Sequence, residues 1–156
     1  MAVLQILKMG HPLLRQKAKK VHNFDKILDL ISDMQDTLKY IGASGLAAPQ
    51  VMVSKRVIVY RVNKNRIPLN AHFNAKPWTF MINPEIIPLS SEKEMFWERC
   101  LSIPGLHAKI PRYNKILIKY FTPDKKLIEH EAHSTWAALI QHEYDHLDGI
   151  LYPMRM

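Results

Sequence analysis

The stretch STWAALIQHEYDHLDG, residues 134–149, decides the fold of this chain. Apolar side chains fill most of its first half, a pattern that predicts a buried α-helix beginning near Ser134 and ending before Gly149. Its second half places two histidines and two acids on the same helix. Because burying such side chains is costly unless a partner satisfies them, the stretch also predicts a polar cluster inside the core.

The spacing of the histidines indicates a metal site. His142 and His146 lie four residues apart, which is about 40° of rotation and one turn of rise on a helix, so both can bind one ion. Glu143 is placed to exchange protons with a water molecule at that ion, the arrangement of a metal-dependent hydrolase. The alternative, two histidines on a polar helix face, fits less well because the neighbouring positions are apolar.

The third metal ligand must come from elsewhere in the chain, since a catalytic site takes three protein ligands and leaves one position open. In zinc peptidases this ligand follows the two histidines, but here the position of the downstream histidine is Tyr152. Upstream, Cys100 is the single cysteine, and a thiolate is a strong ligand for a divalent ion. The alternative is that this lone cysteine is simply a small buried hydrophobic residue. Because the two histidines need a third ligand, we expect the ligands to be Cys100, His142 and His146.

Length and composition suit one domain. The chain has 156 residues, 47% of them hydrophobic, so we expect a single catalytic domain at 1–156. No apolar run reaches the roughly 18 residues of a membrane span, and the first residues lack the apolar stretch of a secretory signal. A single cysteine cannot form an internal disulfide, which is compatible with the cytoplasm.

The N-terminal residues and the net charge bear on where the protein acts and on its partners. Residues 1–24 are basic without an acid, like an organellar transit peptide, but Val3, Leu4, Ile6 and Leu7 predict a short core strand instead. We expect a cytoplasmic protein and leave an organellar setting open. A net charge of +8 favours polyanions such as the ribosome surface, where transient contact is compatible with the sequence. Because the charges are scattered, we expect a solvated surface and no specific nucleic acid.

The rest of the chain predicts one more helix and several strands. Residues 25–41 carry apolar side chains at helical spacing. Branched and aromatic runs at 57–62 and 115–121 predict strands, the second of them joined by a turn to a further short run as a hairpin. The polar stretch 63–77 predicts a long surface loop.

Three motifs, in their order along the chain, resemble those of the peptide deformylase family. They are Gly45-Leu46-Ala47-Ala48-Pro49-Gln50, Glu98-Arg99-Cys100-Leu101-Ser102 and Gln141-His142-Glu143-Tyr144-Asp145-His146-Leu147-Asp148-Gly149. The resemblance extends from about Leu4 to Tyr152. It implies an α+β fold with antiparallel sheets around a central buried helix that carries His-Glu-x-x-His. It also implies an enzyme that removes the formyl group from the N-terminal formylmethionine of new proteins, with Fe²⁺ preferred and Zn²⁺, Ni²⁺ or Co²⁺ as substitutes.

The resemblance also implies roles for individual residues. Glu143 would manage the protons, and the side-chain amide of Gln50 and the backbone N–H of Leu101 would stabilise the oxyanion. Glycine at position 45 would let the substrate backbone approach closely. The expected substrate-binding residues are Ser44, Gly45, Phe96, Trp97, Glu98, Arg99, Ala138 and Leu139. The residues expected to orient the ligands or the nearby backbone are Gln141, Asp145 and Arg112, the last of them paired with Glu98.

The chain departs from the family pattern at Ala43 and Arg99, where the family normally has glycine. The first change is small, but Arg99 either narrows the substrate groove, lowering activity, or projects outward and binds carbonyls or acids of a peptide. Trp136 resembles the subgroup that includes organellar enzymes, and we expect the C-terminal helix of many bacterial members to be absent. The alternatives are a metal-binding relative with reduced activity or altered specificity, a zinc peptidase and a basic RNA-binding module.

Overall fold

The computed structural model describes residues 2–156 and has a mixed α+β architecture with two α-helices and seven antiparallel strands in that range. The helices are α1, Leu28–Ile41, and α2, Ser134–Leu147. The strands are β1 (Gly45–Ala47), β2 (Val57–Val62), β3 (Lys76–Pro88), β4 (Lys93–Cys100), β5 (Ile103–Tyr113), β6 (Lys115–Phe121) and β7 (Leu127–His133). The predicted α+β class with antiparallel sheets is confirmed.

The strands form two separate sheets. Five of them make one sheet in the order β1-β2-β3-β6-β7, while β4 and β5 pair only with each other as a two-stranded ribbon. One cluster of buried side chains packs α2 against β2, β6 and β7, and a second packs α1 against β1 and β2. The ribbon adds a small cluster of its own around Cys100 and Ile110. The core thus holds the larger sheet and both helices, and the ribbon is attached to it.

The predicted helix at 25–41 is confirmed, with a tighter first turn. Phe24–Ile27 form a 3₁₀ turn, and the side chain of Asn23 accepts a hydrogen bond from the backbone N–H of Asp25 at its start. The α-helix then ends at Gly42, whose φ of 80° is the left-handed conformation that glycine adopts without strain. Its buried face carries Ile31, Met34 and Leu38.

The strands predicted at 57–62 and 115–121 are confirmed with those bounds. The hairpin is confirmed as well, since β6 and β7 pair from Lys115 opposite His133 to Phe121 opposite Leu127. The loop predicted at 63–77 contains one short 3₁₀ turn and gives way to β3 at Lys76.

The predicted N-terminal strand is wrong. Leu7 is buried, but residues 3–7 pair with no strand in the described part of the chain and bond instead to α1 and to the 3₁₀ turn at Ala48–Val51. The backbone N–H of Leu4 donates to the hydroxyl of Thr37, and that of Leu7 donates to the carbonyl oxygen of Gln50. The apolar residues here indicate partial burial, from exposed Val3 to buried Leu7, whereas a strand also needs a continuous neighbour with which to pair.

The predicted helix at the end of the chain is confirmed, but Ser134 does not cap it. Ser134 is the first residue of α2 and has a φ of 58°, and the capping position belongs to His133, whose side chain makes no capping bond. Within residues 2–156, no helix has the length and apolar character needed to cross a membrane.

The C-terminal end of α2 packs closely against the N-terminal segment at Gly149. Gly149 has a φ of 74°, and a β-carbon added there would lie 2.5 Å from the carbonyl oxygen of Arg15. The neighbouring carbonyl of Leu147 accepts bonds from the backbone N–H of Ala18 and from Arg56. Only a residue without a side chain therefore allows the chain to turn here against residues 15 and 16.

We predict that Gly149→Ala lowers the free energy of unfolding by about 2 kcal/mol more than Gly42→Ala does. Both glycines have a positive φ, but a β-carbon at Gly42 meets no atom within 4 Å, so the difference isolates the contact with Arg15. Urea unfolding of both variants and of the wild type measures this difference in the free energy of unfolding. Equal losses would mean that the backbone conformation alone, and not the close approach, matters at Gly149.

Candidate metal centre

Three buried side chains converge where the ribbon meets α2. Cys100 ends β4, and His142 and His146 lie one turn apart on α2. Their ligand atoms all lie within 4.8 Å of one another, and Cys100 Sγ is 3.3 Å from His146 Nε2. Sequence reasoning proposed these three residues as ligands, and the structure brings them together from positions far apart in the chain.

This donor set fits a divalent transition metal. With zinc–sulfur and zinc–nitrogen bonds of about 2.3 and 2.0–2.1 Å, a tetrahedral site places the two ligand atoms about 3.5 Å apart, near the observed 3.3 Å between Cys100 and His146. His142 uses Nδ1 for a 2.8 Å bond to Glu98, which leaves its Nε2 as the ligand atom. Three protein donors leave one coordination position for water or substrate.

A chain of ionic hydrogen bonds runs from this cluster to the surface. Glu98 receives two bonds from the guanidinium of Arg112, at 2.7 and 2.8 Å. Arg112 also donates to Asp145 at 2.5 Å, and Asp145 receives two further bonds from Arg155, at 2.9 and 3.1 Å. Sequence reasoning paired Glu98 with Arg112 but missed Arg155, because nothing in the spacing near the C-terminus indicates its partner.

The local charges favour a cation in this cluster. Burial works against the charged form of His142, but a hydrogen bond with Cys100, the charge of Glu143 and a hydrogen bond with Glu98 outweigh it and raise the pKa of His142 to about 10. Burial, together with the charge of His142, lowers the pKa of His146 well below its usual value. Surroundings that favour a positive charge on His142 also favour a cation bound in place of its proton.

Glu143 lies beside the ligands on α2 and is almost fully buried. Burial raises its pKa to about 7, in the range of a group that both accepts and donates protons near neutral pH. Its Oε1 has no hydrogen-bond partner among the described residues. This atom is free to bond a reactant.

Gly45 on β1 packs directly against that carboxylate. A β-carbon at this position would lie 2.7 Å from Glu143 Oε2 and 3.1 Å from a methyl group of Leu139. The sequence interpretation gave Gly45 the role of admitting substrate backbone, and the structure adds a second reason for the glycine. Its missing side chain leaves the space in which Glu143 sits.

Gln50 brings a side-chain amide to the same place. Its Nε2 lies 3.6 Å from Cys100 Sγ and 3.2 Å from Ser102 Oγ, while its Oε1 accepts a bond from the backbone N–H of Ala47 at 2.9 Å. The last bond fixes which end of the amide faces the thiol. Leu101 follows Cys100, and its carbonyl accepts a bond from Lys8.

The cluster opens into a cleft of about 780 Å³. All eight residues expected to bind substrate line this cleft, as do Cys100, His142, Glu143, Gln50 and Leu101. They are Ser44, Gly45, Phe96, Trp97, Glu98, Arg99, Ala138 and Leu139. His107 also lines it and packs its ring on that of Trp97, with centroids 5.3 Å apart.

Two other contacts hold the walls of the site in place. Gln141 bonds both the N–H and the carbonyl of Tyr113, at 3.0 and 2.7 Å, and so ties α2 to β5. Tyr152, at the position of the downstream peptidase histidine, is buried with its ring 6.1 Å from that of His142. Its hydroxyl donates to the carbonyl of Leu106 at 2.9 Å.

The chain is similar to known peptide deformylases in sequence and in fold. The family profile for polypeptide deformylase matches residues 3–156. Peptide deformylase 1 of Nitrosomonas europaea is 40% identical over 153 residues, covering 97% of this chain and 86% of that protein. The structure of a class I type b peptide deformylase from Acinetobacter baumannii aligns with a TM-score of 0.92 at 33% identity over 100% of both chains. Another structure of that Acinetobacter enzyme, with Met-Ala-Ser bound, has a TM-score of 0.87 at 34% identity, covering 99% of this chain and 98% of that one.

We predict that Cys100→Ala weakens Co²⁺ binding by about 100-fold or more, because it removes one of three donors. The thiolate-to-cobalt absorption should disappear at the same time. Titration against a competing chelator measures the affinity. Ser102→Ala is the matched control, since it alters the next contact of Gln50 but keeps all three donors. Unchanged affinity and absorption in Cys100→Ala would show that the thiol is not a ligand.

Proposed function

The chain belongs to the polypeptide deformylase family, and from this we infer that it removes the formyl group from the N-terminal formylmethionine of newly made proteins. The observation that carries the inference is the buried cluster of Cys100, His142 and His146, open to a cleft beside the unpartnered Oε1 of Glu143. We treat residues 1–156 as one catalytic domain in which α2 is central, because it contacts β1, β2, β5, β6 and β7.

Cys100, His142 and His146 would hold a divalent ion, for which we propose Fe²⁺, with Zn²⁺, Ni²⁺ or Co²⁺ as substitutes. When bound, the ion polarises the formyl carbonyl and lowers the pKa of a water molecule. Glu98 keeps His142 in the required tautomer by accepting the bond from Nδ1. Arg112 and Asp145 hold Glu98 and α2 in register, and Gln141 ties the helix to β5.

Glu143 would carry the proton that the reaction moves. Hydrolysis of the formamide takes a proton from water and delivers one to the amine nitrogen of methionine as the bond to the formyl carbon breaks. Oε1 of Glu143 is free for both transfers, while Oε2 packs against Gly45. The products are formate and a peptide with a free N-terminal amine.

Gln50 and Leu101 would stabilise the negative charge that develops on the formyl oxygen. The amide Nε2 of Gln50 already faces Cys100, where that oxygen would lie, and Ala47 prevents the amide from turning over. We assign the second donor to the backbone N–H of Leu101. Phe96, Trp97, Ala138 and Leu139 would provide the apolar wall for the methionine side chain, and Ser44 and Gly45 would line the path of the peptide backbone.

A protein with reduced activity is not favoured. Arg99, which prompted that alternative, is exposed at the cleft rather than buried against Cys100. A zinc peptidase is disfavoured by Tyr152, which fills the place of a downstream ligand and bonds Leu106. We propose that the enzyme acts in the cytoplasm on N-formylmethionyl nascent peptides and touches the ribosome only transiently.

We predict that Glu143→Gln lowers kcat for formate release from formyl-Met-Ala-Ser by about 100-fold or more, because the amide cannot take up a proton. Bound metal should remain, since Glu143 is not a proposed ligand. Glu129→Gln, at an exposed position of β7, is the control for removal of one carboxylate. Normal turnover in Glu143→Gln would contradict the mechanism, and cleavage of an internal bond in an N-acetylated peptide would favour a peptidase.

We predict that removal of the metal with a chelator abolishes formate release and that Fe²⁺ added without oxygen restores it more fully than Zn²⁺. Both ions suit one thiolate and two imidazoles, so the difference should appear in kcat/KM rather than in the amount of metal bound. Parallel measurements of metal content and rate test this. Full activity in metal-free protein would refute the metal-dependent mechanism.

A further inference from the structure

The exposed face of the β4–β5 ribbon brings two basic side chains together. Arg99 and His107 are direct partners across the two strands, and both are exposed and line the cleft. Among residues 2–156, the side chain of Arg99 has no hydrogen bond or ion pair. A guanidinium without an ion pair can bind an anionic group, and its planar set of donors suits a carboxylate.

Two further basic residues stand at the mouth of the cleft. Lys8 donates to the carbonyl oxygen of Leu101 at 3.1 Å, and Arg66 donates to the carbonyl oxygen of Gly42 at 2.9 Å. Both acceptors are neutral, so these bonds position the side chains without cancelling their charge. We call the exposed set Lys8, Arg66, Arg99 and His107 the basic rim.

The acids that line the cleft do not neutralise the basic rim. They are Glu98 and Glu143, which are buried at its base with relative exposures of 8% and 4%. Glu98 is already paired with Arg112 by two hydrogen bonds. The mouth of the cleft therefore keeps a positive charge that no acid of the cleft neutralises, and a ligand that enters the cleft passes this charge.

We propose that Arg99, supported by Lys8 and Arg66, forms a subsite for carboxylate groups in the residues that follow formylmethionine. This rests on the proposed function, which places the formyl group beside Cys100, the neighbour of Arg99 in the chain. An extended peptide rises about 3.3 Å per residue, so the second to fourth residues pass the basic rim as they leave the cleft. Peptides with Asp or Glu there are bound and processed preferentially over those with Lys.

Three amidated peptides test the subsite, because amidation removes the terminal carboxylate. They are formyl-Met-Ala-Glu-Glu-amide, formyl-Met-Ala-Gln-Gln-amide and formyl-Met-Ala-Lys-Lys-amide. For the metal-loaded wild-type enzyme in low salt, kcat/KM should be about tenfold higher for the Glu peptide than for the Lys peptide. The ratio should shrink toward one as salt screens the charges.

Arg99→Gln should lower the Glu-to-Lys ratio by about threefold or more. Lys93→Gln is the matched control, since it removes the same charge from the same strand outside the cleft, and it should leave the ratio unchanged. A ratio near one in wild type, or one that Arg99→Gln does not change, overturns the subsite while leaving the deformylase function standing. Absence of formate from all three peptides would instead refute the proposed function.

The basic rim also suits RNA, and competition distinguishes that partner. A single-stranded RNA oligomer that inhibits wild type, loses this effect in Arg99→Gln, and leaves the Glu-to-Lys ratio at one would assign Arg99 to RNA and overturn the peptide subsite. Failure of the oligomer to compete, together with the expected ratio, supports the peptide assignment.

Discussion

The guanidinium of Arg112 is the contact on which the site depends. It lies on β5, bonds Glu98 on β4 and Asp145 on α2, and is almost entirely buried. Breaking a buried pair leaves an uncompensated charge and costs about 3–5 kcal/mol, so the ribbon and the helix are held in one relative position. That position is what brings Cys100 of the ribbon to the two histidines of α2. The three proposed ligands are therefore aligned by a network that reaches them only through His142, whose Nδ1 lies 2.8 Å from Glu98.

The same close packing shapes the groups that would act on substrate. Gly45 gives Glu143 its space, and Gln50 is oriented by the backbone of Ala47. Neither constraint involves a long-range charge; each is a short contact between neighbouring elements. Because β1 and the 3₁₀ turn after it supply both contacts, this short segment fixes the proposed proton carrier, Glu143, and the proposed oxyanion donor, Gln50, beside the cluster of Cys100, His142 and His146. Reactive groups are thus placed on rigid elements, which keeps them near their working geometry.

Periodicity predicted α1, β2, β6 and most of α2, because each buries one face or is apolar throughout. The cluster of Cys100, His142 and His146 was also proposed from residue type and spacing, since few arrangements satisfy histidines on an apolar helix. Contacts that depend on the irregular backbone could not be predicted. Asn83, with a φ of 52°, sits where the pairing of β3 with β6 shifts and bonds the backbone of Val21 through its side chain. The bonds of Arg155 and the close contact at Gly149 could not be predicted for the same reason, because their partners come together only when the chain folds.

The alternation of β4 separates two kinds of position. Glu98 and Cys100 are buried at the base of the cleft, while Trp97 and Arg99 are exposed to solvent. Side chains on the outward positions can change in size or charge without entering the network around Arg112. If the proposed roles hold, substitutions on the exposed side of this one strand would change which nascent chains are preferred, while the buried side would keep the ligand Cys100 and its neighbour Glu98 in place.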